Sequence, residues 1–376
     1  MKDKFKDYPR RQTHFALSDK NNRRMPTGTL RYNDSVAIDM TPMVRAAALT
    51  NYMEVAQHLG LNPQQMLRQA GLSQALIENP DQRLPTSAAA SLLEDSARAS
   101  GCLTFGLRMA ESRQLSDFGV ISLLLSHQPT LRDALETIVQ YRHLLNESLA
   151  LFVDEVGKTV VLREEIITDP PVPIRQGMEL AIGVLFRMCS ALLGSGWRPM
   201  AVNFSHDAPP DLQLHRRVFG CKLEFGSEFN GIVCQAADLD KANPLADPAM
   251  ARHALRLVET LPGAAQQSTL NDVRKAIYLL LPMGRATIEQ IAQSLGMNVR
   301  TLQRRLEESE VTFSDLISEV RRDLVLRYME NPRYSLSRIA DLLGYSVPSS
   351  FTRWFTTQFG TAPATWRREH QVKAEE

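Results

Sequence analysis

The chain has 376 residues, of which 44% are hydrophobic, so it can bury a sizeable core and is longer than one ordinary domain. Its 43 lysines and arginines almost balance its 42 aspartates and glutamates, which excludes a protein that is basic throughout and coats nucleic acid. The most apolar stretch, residues 180–194, contains Arg187. Because it is also shorter than the roughly 20 residues that cross a bilayer, we expect no membrane span.

Residues 1–35 are predicted to form a flexible basic leader. The first 31 residues hold nine lysines and arginines against three acidic residues, and no apolar run typical of a secretory signal follows. We therefore expect a cytoplasmic protein with a solvated leader, and contact between the leader and DNA is the second interpretation. The four scattered cysteines form no C-x-x-C pair and are predicted to be reduced thiols.

Residues 36–245 are predicted to form an α+β domain. Apolar residues recur at intervals of three and four up to about residue 150, a spacing typical of helices. From Leu149 the spacing changes, and LALFV and KTVVL are predicted to be two strands around a tight turn. A long helix from about Gln176 to Leu193 is expected next, then a strand at 201–204, and then CKLEF and GIVCQ as a second pair of strands.

Residues 246–268 are predicted to be a linker. Prolines and the run LPGAAQQS at 261–268 flank one short helix at 249–259, and a wholly helical pattern follows. Residues 269–376 are therefore predicted to form a separate domain. We expect the linker to fix or release the relative placement of the two domains and so to transmit a signal.

The last hundred residues contain an internal repeat with an offset of 48 positions. IEQIAQSLGMNVRTLQRRL, from Ile288, matches LSRIADLLGYSVPSSFTRWF, from Leu336, at six identical positions. In each copy a helix ends at a glycine, Gly296 or Gly344, and a second helix begins after a short turn. Such a pair of helices is a helix-turn-helix. The sequence therefore predicts an all-α domain with a double helix-turn-helix.

The second helix of each unit has an outward face rich in hydrogen-bond donors. Its inward residue slips by one place between the copies, Leu302 against Phe351, so we expect the two helices to differ slightly in rotation. Arginine binds guanine and glutamine binds adenine through two hydrogen bonds each, so these faces are predicted to read base edges in the major groove. The predicted DNA contacts are Arg300, Thr301, Gln303 and Arg304 in the first unit and Ser349, Ser350, Thr352 and Arg353 in the second. A purely structural bundle is the weaker interpretation, since the unit occurs twice.

These motifs resemble the AraC/XylS family of bacterial transcription regulators. The resemblance rests on IAQSLGMNVRTLQRRL at 291–306, IADLLGYSVPSSFTRWF at 339–355 and FGTAPATWR at 359–367. It implies that a long helix, here about Thr312 to Glu330, joins the two units and that they read successive segments of the major groove. The positions that match base-contacting positions of the family are Arg300, Gln303 and Arg304, then Pro348, Ser349 and Arg353, and Pro348 departs from the commoner polar residue.

The middle segment is similar to the sensing domain of one branch of that family, typified by ornithine-utilisation-type regulators. The similar stretches are LRDALETIVQYRHLLN at 131–146 and DLQLHRRVFGC at 211–221. The resemblance implies an effector-sensing and dimerisation domain. The expected partners are double-stranded promoter DNA, RNA polymerase, a small-molecule effector and a second copy of the chain, with no membrane. We expect an activator, and control by a protein partner is the first alternative.

Tyr141 and Arg142 are the candidate ligand contacts of the middle domain, because a phenol and a guanidinium suit a carboxylate or aromatic effector. Tyr141 is also in phase with a stripe of leucines, which favours a position in the core. An enzyme in the middle domain is the second alternative to a sensor.

Other chemistry is predicted to be absent. No phosphate-binding glycine motif occurs, His206 and His215 are expected to be structural or exposed, and Glu164-Glu165 is expected to lie on a solvated face. We therefore predict no catalytic residue, no metal site and no cofactor.

Overall fold

A computed structural model describes residues 41–264 and 268–371, which form two domains. The predicted leader at 1–35 lies outside the described residues. The helices of the N-terminal domain are α1 Tyr52–His58, α2 Pro63–Gln69, α3 Gln74–Glu78, α4 Thr86–Ser100, α5 Phe105–Glu111, α6 Val120–Ser126, α7 Leu131–Leu145, α8 Arg175–Leu193, α9 Gln213–Phe219, α10 Ala236–Leu239 and α11 Pro248–Glu259. Its strands are β1 Met43–Arg45, β2 Arg83–Pro85, β3 Leu149–Val156, β4 Thr159–Ile166, β5 Ala201–Phe204, β6 Lys222–Phe225 and β7 Asn230–Gln235. The helices of the C-terminal domain are α12 Thr269–Leu280, α13 Ile288–Ser294, α14 Val299–Glu307, α15 Phe313–Glu330, α16 Leu336–Leu342, α17 Pro348–Phe359 and α18 Pro363–Gln371.

The main sheet of the N-terminal domain has the strand order β3-β4-β7-β5-β6. The predicted hairpin of β3 and β4 is confirmed, with Val156 opposite Thr159 across the turn at Gly157. The predicted pairing of CKLEF with GIVCQ is wrong, because β5 lies between β6 and β7. Strand β6 instead pairs with β5 in parallel, and α9 forms the crossover that two parallel strands require.

Helix α8 is the central helix of the N-terminal domain. It is long and apolar enough to cross a membrane by length and composition, yet its most apolar stretch is 67% buried inside the domain. A Cβ atom added to Gly183 would overlap the Cβ of Ala110 in α5, so the glycine allows these two helices to approach closely. We therefore assign α8 as a core helix, and it also contacts β4.

Three helices of the C-terminal domain begin at polar caps. Thr287, Asn298 and Ser335 each accept a hydrogen bond from a backbone N–H three residues later, at the starts of α13, α14 and α16. Gly296 and Gly344 have φ of +64° and +74° in the two turns, a conformation that favours glycine. The two units share a single apolar core, so they are expected to fold together.

The one-place slip between the two recognition helices has its origin in the turns. Four residues, 295–298, separate α13 from α14, whereas five residues, 343–347, separate α16 from α17. The extra residue shifts the start of α17, so Leu302 and Phe351 are both buried inward residues. Counted from their first residues, α14 and α17 therefore present equivalent faces, which removes the reason to expect different rotations.

The two domains are in direct contact. Helix α12 packs against β3 and β4, where Leu279 meets Ala150 and Ile167 in a small apolar cluster. The placement of the C-terminal domain therefore depends on this packed surface as well as on the chain between the domains.

Candidate nucleic-acid interface and ligand cavity

The first recognition helix, α14, presents three long polar side chains to solvent. Arg300, Gln303 and Arg304 are exposed, while Thr301 is half-buried and donates its backbone N–H to the Asn298 cap. Arg304 lies 3.2 Å from Glu308 one turn later, an exposed pair that solvent screens. The guanidiniums are therefore available to new acceptors, and the exposed face carries donors that suit base edges.

The second recognition helix, α17, has a shorter and less charged outward face. Ser349, Ser350, Thr352 and Arg353 are all exposed, and the Thr352 hydroxyl donates to the carbonyl of Pro348 in its own helix. Pro348 is the first residue of the helix, where a missing N–H costs no hydrogen bond. Counted from the helix starts, Arg353 is the equivalent of Arg304. All eight predicted DNA contacts thus lie on two helices of one domain, and their contact with DNA stays a prediction.

A cavity of about 170 Å³ lies inside the N-terminal domain, bordered by α4, α7, α8 and β4. This volume is close to that of a cavity that holds one benzene molecule. Its walls are mainly aliphatic and include Ile138, Ile166, Leu180, Val184 and Met188. The arrangement, an apolar space with a few polar groups, is typical of a site for a small organic molecule.

The two predicted ligand contacts lie in different places. Tyr141 is 5% exposed, belongs to the apolar core and does not line the cavity. Arg142 does line the cavity, but its guanidinium forms an ion pair with Asp272 of α12 in the other domain. Arg142 therefore connects the wall of the cavity to the DNA-binding domain.

Glu164 is a lining residue that sequence reasoning missed. It was expected on a solvated face with Glu165, and that expectation is wrong, because Glu164 is only 4% exposed. It lies on the same face of β4 as Leu162 and Ile166, whereas Glu165 faces the other domain and pairs with Arg327. Burial raises the pKa of the Glu164 carboxyl to about 8. An acidic residue in phase with buried aliphatic residues was the signal that the sequence offered.

The two histidines singled out in the sequence meet at one buried carboxylate. Nε2 of His215 lies 3.2 Å and Nε2 of His206 lies 3.4 Å from Oε1 of Glu179. Burial lowers the pKa of His206. None of the three lines the cavity, and the described residues contain no group of three ligands that could hold a metal ion. We assign the cluster a structural role between α8, α9 and β5.

Arginines of the C-terminal domain pair with acidic residues of the N-terminal domain across the contact between them. The Arg327 guanidinium also donates to the Ser205 hydroxyl at 2.9 Å, and the carboxylate of Glu165 raises its pKa. The other pairs are Arg285 with Asp154 at 2.8 Å, Arg333 with Asp207 at 2.9 Å, Arg274 with Asp169 at 3.8 Å, and Arg338 with Glu228. These arginines lie outside the outward faces of α14 and α17, so the recognition helices stay exposed while the domains are in contact.

Comparison with known proteins gives matches in both domains. Residues 60–243 match the arabinose-binding domain of AraC transcription regulator, N-terminal, and residues 291–369 match a helix-turn-helix domain. The HTH-type transcriptional regulator VirS of Mycobacterium tuberculosis is 31% identical over 335 residues, which cover 88% of this chain and 98% of that protein. The ornithine utilization regulator of Pseudomonas aeruginosa is 23% identical over 88% of this chain and 96% of that protein.

A crystal structure of the transcriptional regulator CdpR from Pseudomonas aeruginosa has a TM-score of 0.43 and 20% identity over 85% of this chain and 96% of that chain. The family assignment rests on the sequence matches, which extend through both domains. Together with the two helix-turn-helix units, they show that this chain belongs to the AraC family of DNA-binding transcription regulators, in the branch of the ornithine utilization regulator.

Proposed function

We propose that the protein is a cytoplasmic transcription activator whose N-terminal domain binds a small-molecule effector and whose C-terminal domain binds promoter DNA. The observation that carries the proposal is the ion pair between Arg142, which lines the cavity, and Asp272 of α12. A ligand that displaces α7 or Arg142 alters a contact with the DNA-binding domain directly. Typical coupling of this kind is about 1–3 kcal/mol, or roughly 5-fold to 150-fold in affinity.

The DNA contacts of the proposed activator are the eight exposed or half-exposed residues of α14 and α17 described above. Two further relatives, NphR of Rhodococcus and AggR of Escherichia coli, match 27% and 29% of this chain and are transcriptional activators, which supports an activating role and contact with RNA polymerase. The domain limits predicted from the sequence are 36–245 for sensing and dimerisation, 246–268 for the linker and 269–376 for DNA binding, and we propose that α11, which packs against α6, functions as part of the sensing domain.

Dimerisation is supported by an apolar surface on α11. Met250 and Leu257 are 45% and 47% exposed and are seven residues apart, so they share one face of the helix. Leu123 of the adjoining α6 is also exposed, at 46%. We expect Leu257→Glu to shift the full chain from dimer to monomer in sedimentation experiments. Met200→Glu, at an exposed residue outside α6 and α11, is the control and should leave the dimer intact. A wild-type monomer at tens of micromolar would contradict the dimer.

The proposal assigns binding rather than catalysis to the middle domain. The cavity is mainly aliphatic, and the buried cluster of Glu179, His206 and His215 lies outside its lining. Such a space suits recognition of an apolar molecule. Within the part of the chain that the structure describes, Glu164 is the one titratable residue of the lining without an ion-pair partner, so it has no free second acid or base beside it for general acid-base chemistry.

One experiment tests whether the cavity is coupled to the DNA-binding domain, and it does not require that the effector be known. Ala181 lines the cavity, so Ala181→Phe fills it in the absence of any ligand. We expect this change to alter reporter expression from a native promoter in the wild-type background and to have little effect in the Asp272→Asn background. The control background is Arg132→Gln, which breaks ion pairs of α7 to Glu155 and Asp240 within the same domain.

The possible outcomes separate the alternatives. The same response to Ala181→Phe in all three backgrounds would contradict coupling through Arg142 and Asp272. No response in any background would favour control by a protein partner. Failure of the full chain to retain any genomic DNA fragment at low salt would contradict DNA binding itself, because phosphate contacts are strongest under that condition.

A further inference from the structure

Besides Nε of Arg113, the lining of the cavity contains two buried polar atoms, both oxygens, with unsatisfied hydrogen-bonding capacity. They are Oε2 of Glu164 on β4 and the Thr86 hydroxyl at the start of α4, and neither has a hydrogen-bond partner among the described residues. Glu164 is 4% exposed and Thr86 is 5% exposed. Buried polar groups are nearly always hydrogen-bonded, so two such atoms in one cavity indicate a site for a ligand that supplies the missing partners.

The positive charges around the cavity are already balanced. Arg45 lies 2.6 Å from Asp81, and Arg142 is paired with Asp272. Arg113 donates to the carbonyls of Ala47 and Ala48 and lies 3.7 Å from Asp117, so only its Nε lacks a partner. An anionic ligand would therefore bring a charge that no unpaired cation of the lining compensates.

The carboxyl of Glu164 also lacks a positively charged partner. No arginine or lysine of the described chain pairs with its carboxyl, and burial raises its pKa to about 8. At neutral pH the carboxyl is therefore mostly protonated, and it can donate one hydrogen bond and accept another. A cationic ligand would have to ionise this group inside an apolar space, which desolvation opposes.

The aliphatic walls exclude a ligand that is polar on all sides. A sugar exposes hydroxyl groups around its whole ring, and each hydroxyl needs a partner when it is buried. The cavity offers Ile138, Ile166, Leu180 and Val184 instead. Its volume of about 170 Å³ suits a molecule of one ring with a short side chain.

We propose that the cavity binds a compact, uncharged and largely apolar molecule whose hydroxyl or carbonyl group hydrogen-bonds to Glu164, with Thr86 as the second polar contact. This inference rests on the proposed role of the cavity as the effector site and names the chemical class of the effector. Glu164 fixes the polar end of the ligand, and the faces of α7 and α8 contact its apolar part.

Three probes of matched size and different charge test the inference on the full chain at pH 7. They are 2-phenylethanol, which is neutral, 2-phenylethylamine, which is cationic, and phenylacetate, which is anionic. We expect 2-phenylethanol alone to raise the melting temperature, because a ligand of the native state stabilises it. Glu164→Gln, which keeps a donor and an acceptor, should bind 2-phenylethanol within about threefold of wild type, and Glu164→Leu should bind it about tenfold more weakly.

Two variants of α8 show whether a probe is in the cavity. Ala181→Phe fills the cavity and should abolish the effect of 2-phenylethanol, whereas Ala191→Phe, at an exposed position of the same helix, should not. Stronger binding of the amine, with loss in Glu164→Gln, would overturn the inference in favour of a carboxylate counter-ion. Stronger binding of phenylacetate, or no binding of any probe, would also overturn it.

Failure of this inference is distinguishable from failure of the proposed function. If 2-phenylethanol binds as expected but reporter expression is the same with and without it and in Ala181→Phe, the ligand class stands and the effector role fails. If no probe binds but Ala181→Phe still changes expression, the cavity keeps its regulatory role and the ligand class proposed here is wrong.

Discussion

The interiors of the two domains differ in what they bury. Among the described residues, eighteen buried polar or charged side chains belong to the N-terminal domain and one, Lys275, belongs to the C-terminal domain. The N-terminal domain is about twice as long, so its size alone does not account for the difference. Even Lys275 lies where α12 meets the N-terminal domain, and its burial there lowers its pKa to about 8.

This difference follows from where each domain binds its partner. The DNA-binding domain contacts its ligand from outside, so its core can be wholly apolar and its functional side chains lie exposed on α14 and α17. In the proposed function the sensing domain holds its effector in a cavity of its interior, where polar groups such as Glu164 are buried at a cost in stability. Changes in the two interiors should therefore have different consequences.

The largest expected effect is loss of packing in the C-terminal core. Phe355 is fully buried and contacts Phe351, Phe359 and Trp366. Phe355→Ala should lower the free energy of unfolding of this domain by about 3–5 kcal/mol. Urea unfolding of the full chain, followed by tryptophan fluorescence, measures it, because two of the three tryptophans, at 354 and 366, report on this domain.

The control for this change is Ser349→Ala, at an exposed position of the same helix. We expect a change within about 0.5 kcal/mol there. Because both units share one core, Phe355→Ala should also weaken DNA binding by the first unit. Independent unfolding of the two units would contradict that shared core.

The next effect concerns the polar group inside the sensing domain. The pKa of Glu164 is about 8 in the native state and has its ordinary value in the unfolded chain. The native state therefore retains a proton that the unfolded state releases, so the contribution of Glu164 to stability falls as pH rises from about 4.5 to 8, by up to about 1.4 kcal/mol per pH unit. Glu164→Gln has no titrating carboxyl, so the free energy of unfolding should change less with pH over that range.

Unfolding followed at Trp197, the remaining tryptophan, reports on this domain in a variant that lacks the tryptophans at 354 and 366. Glu136→Gln, at an exposed position of α7, is the matched control and should keep the wild-type slope. Equal pH dependence of stability in wild type and Glu164→Gln between pH 5 and 8 would show that the Glu164 carboxyl ionises normally.

Local sequence determined most of the C-terminal domain, and the long helix expected at about 312–330 is α15, Phe313–Glu330. Caps, glycine turns and apolar spacing are local signals, and the repeat supplied each of them twice. The strand order of the sensing domain depended on contacts far apart in sequence, so the placement of β5 between β6 and β7 was missed. Glu164 was in phase with the aliphatic residues of β4, but its role was missed because the cavity that it lines is formed with α4, α7 and α8, which the residues of β4 do not reveal.

A moderate effect is expected at the exposed recognition surface. If Arg304 binds guanine, Arg304→Ala should cost about 1–3 kcal/mol and relax the preference at one base position. Arg353→Ala should act in the other half of the binding site, since the two arginines occupy equivalent positions of α14 and α17. Selection of binding sites from random DNA measures the preference. Equal loss on specific and random DNA would show that Arg304 contacts phosphate instead.

The smallest effect is expected in the chain between the domains, although the sequence suggested that this segment transmits the signal. Leu261 and Ala264 pack against the core of the N-terminal domain, and the Ser268 side chain caps α12. These residues are therefore parts of the two domains. A replacement that tests tethering alone should be confined to residues 265–267.

We expect three Gly/Ser residues at 265–267 to leave promoter affinity within about twofold and to preserve the change in expression caused by Ala181→Phe. The physical reason is that α12 stays in contact with β3 and β4, and that the pairs of Arg142 with Asp272 and Arg327 with Glu165 remain. Replacement of all of 261–268 should instead cost about 1 kcal/mol or more, because it also removes the Ser268 cap and the packing of Leu261. If the short replacement alone abolishes the response while promoter affinity is intact, the linker carries the signal, and the packed surface between the domains serves only to hold them together.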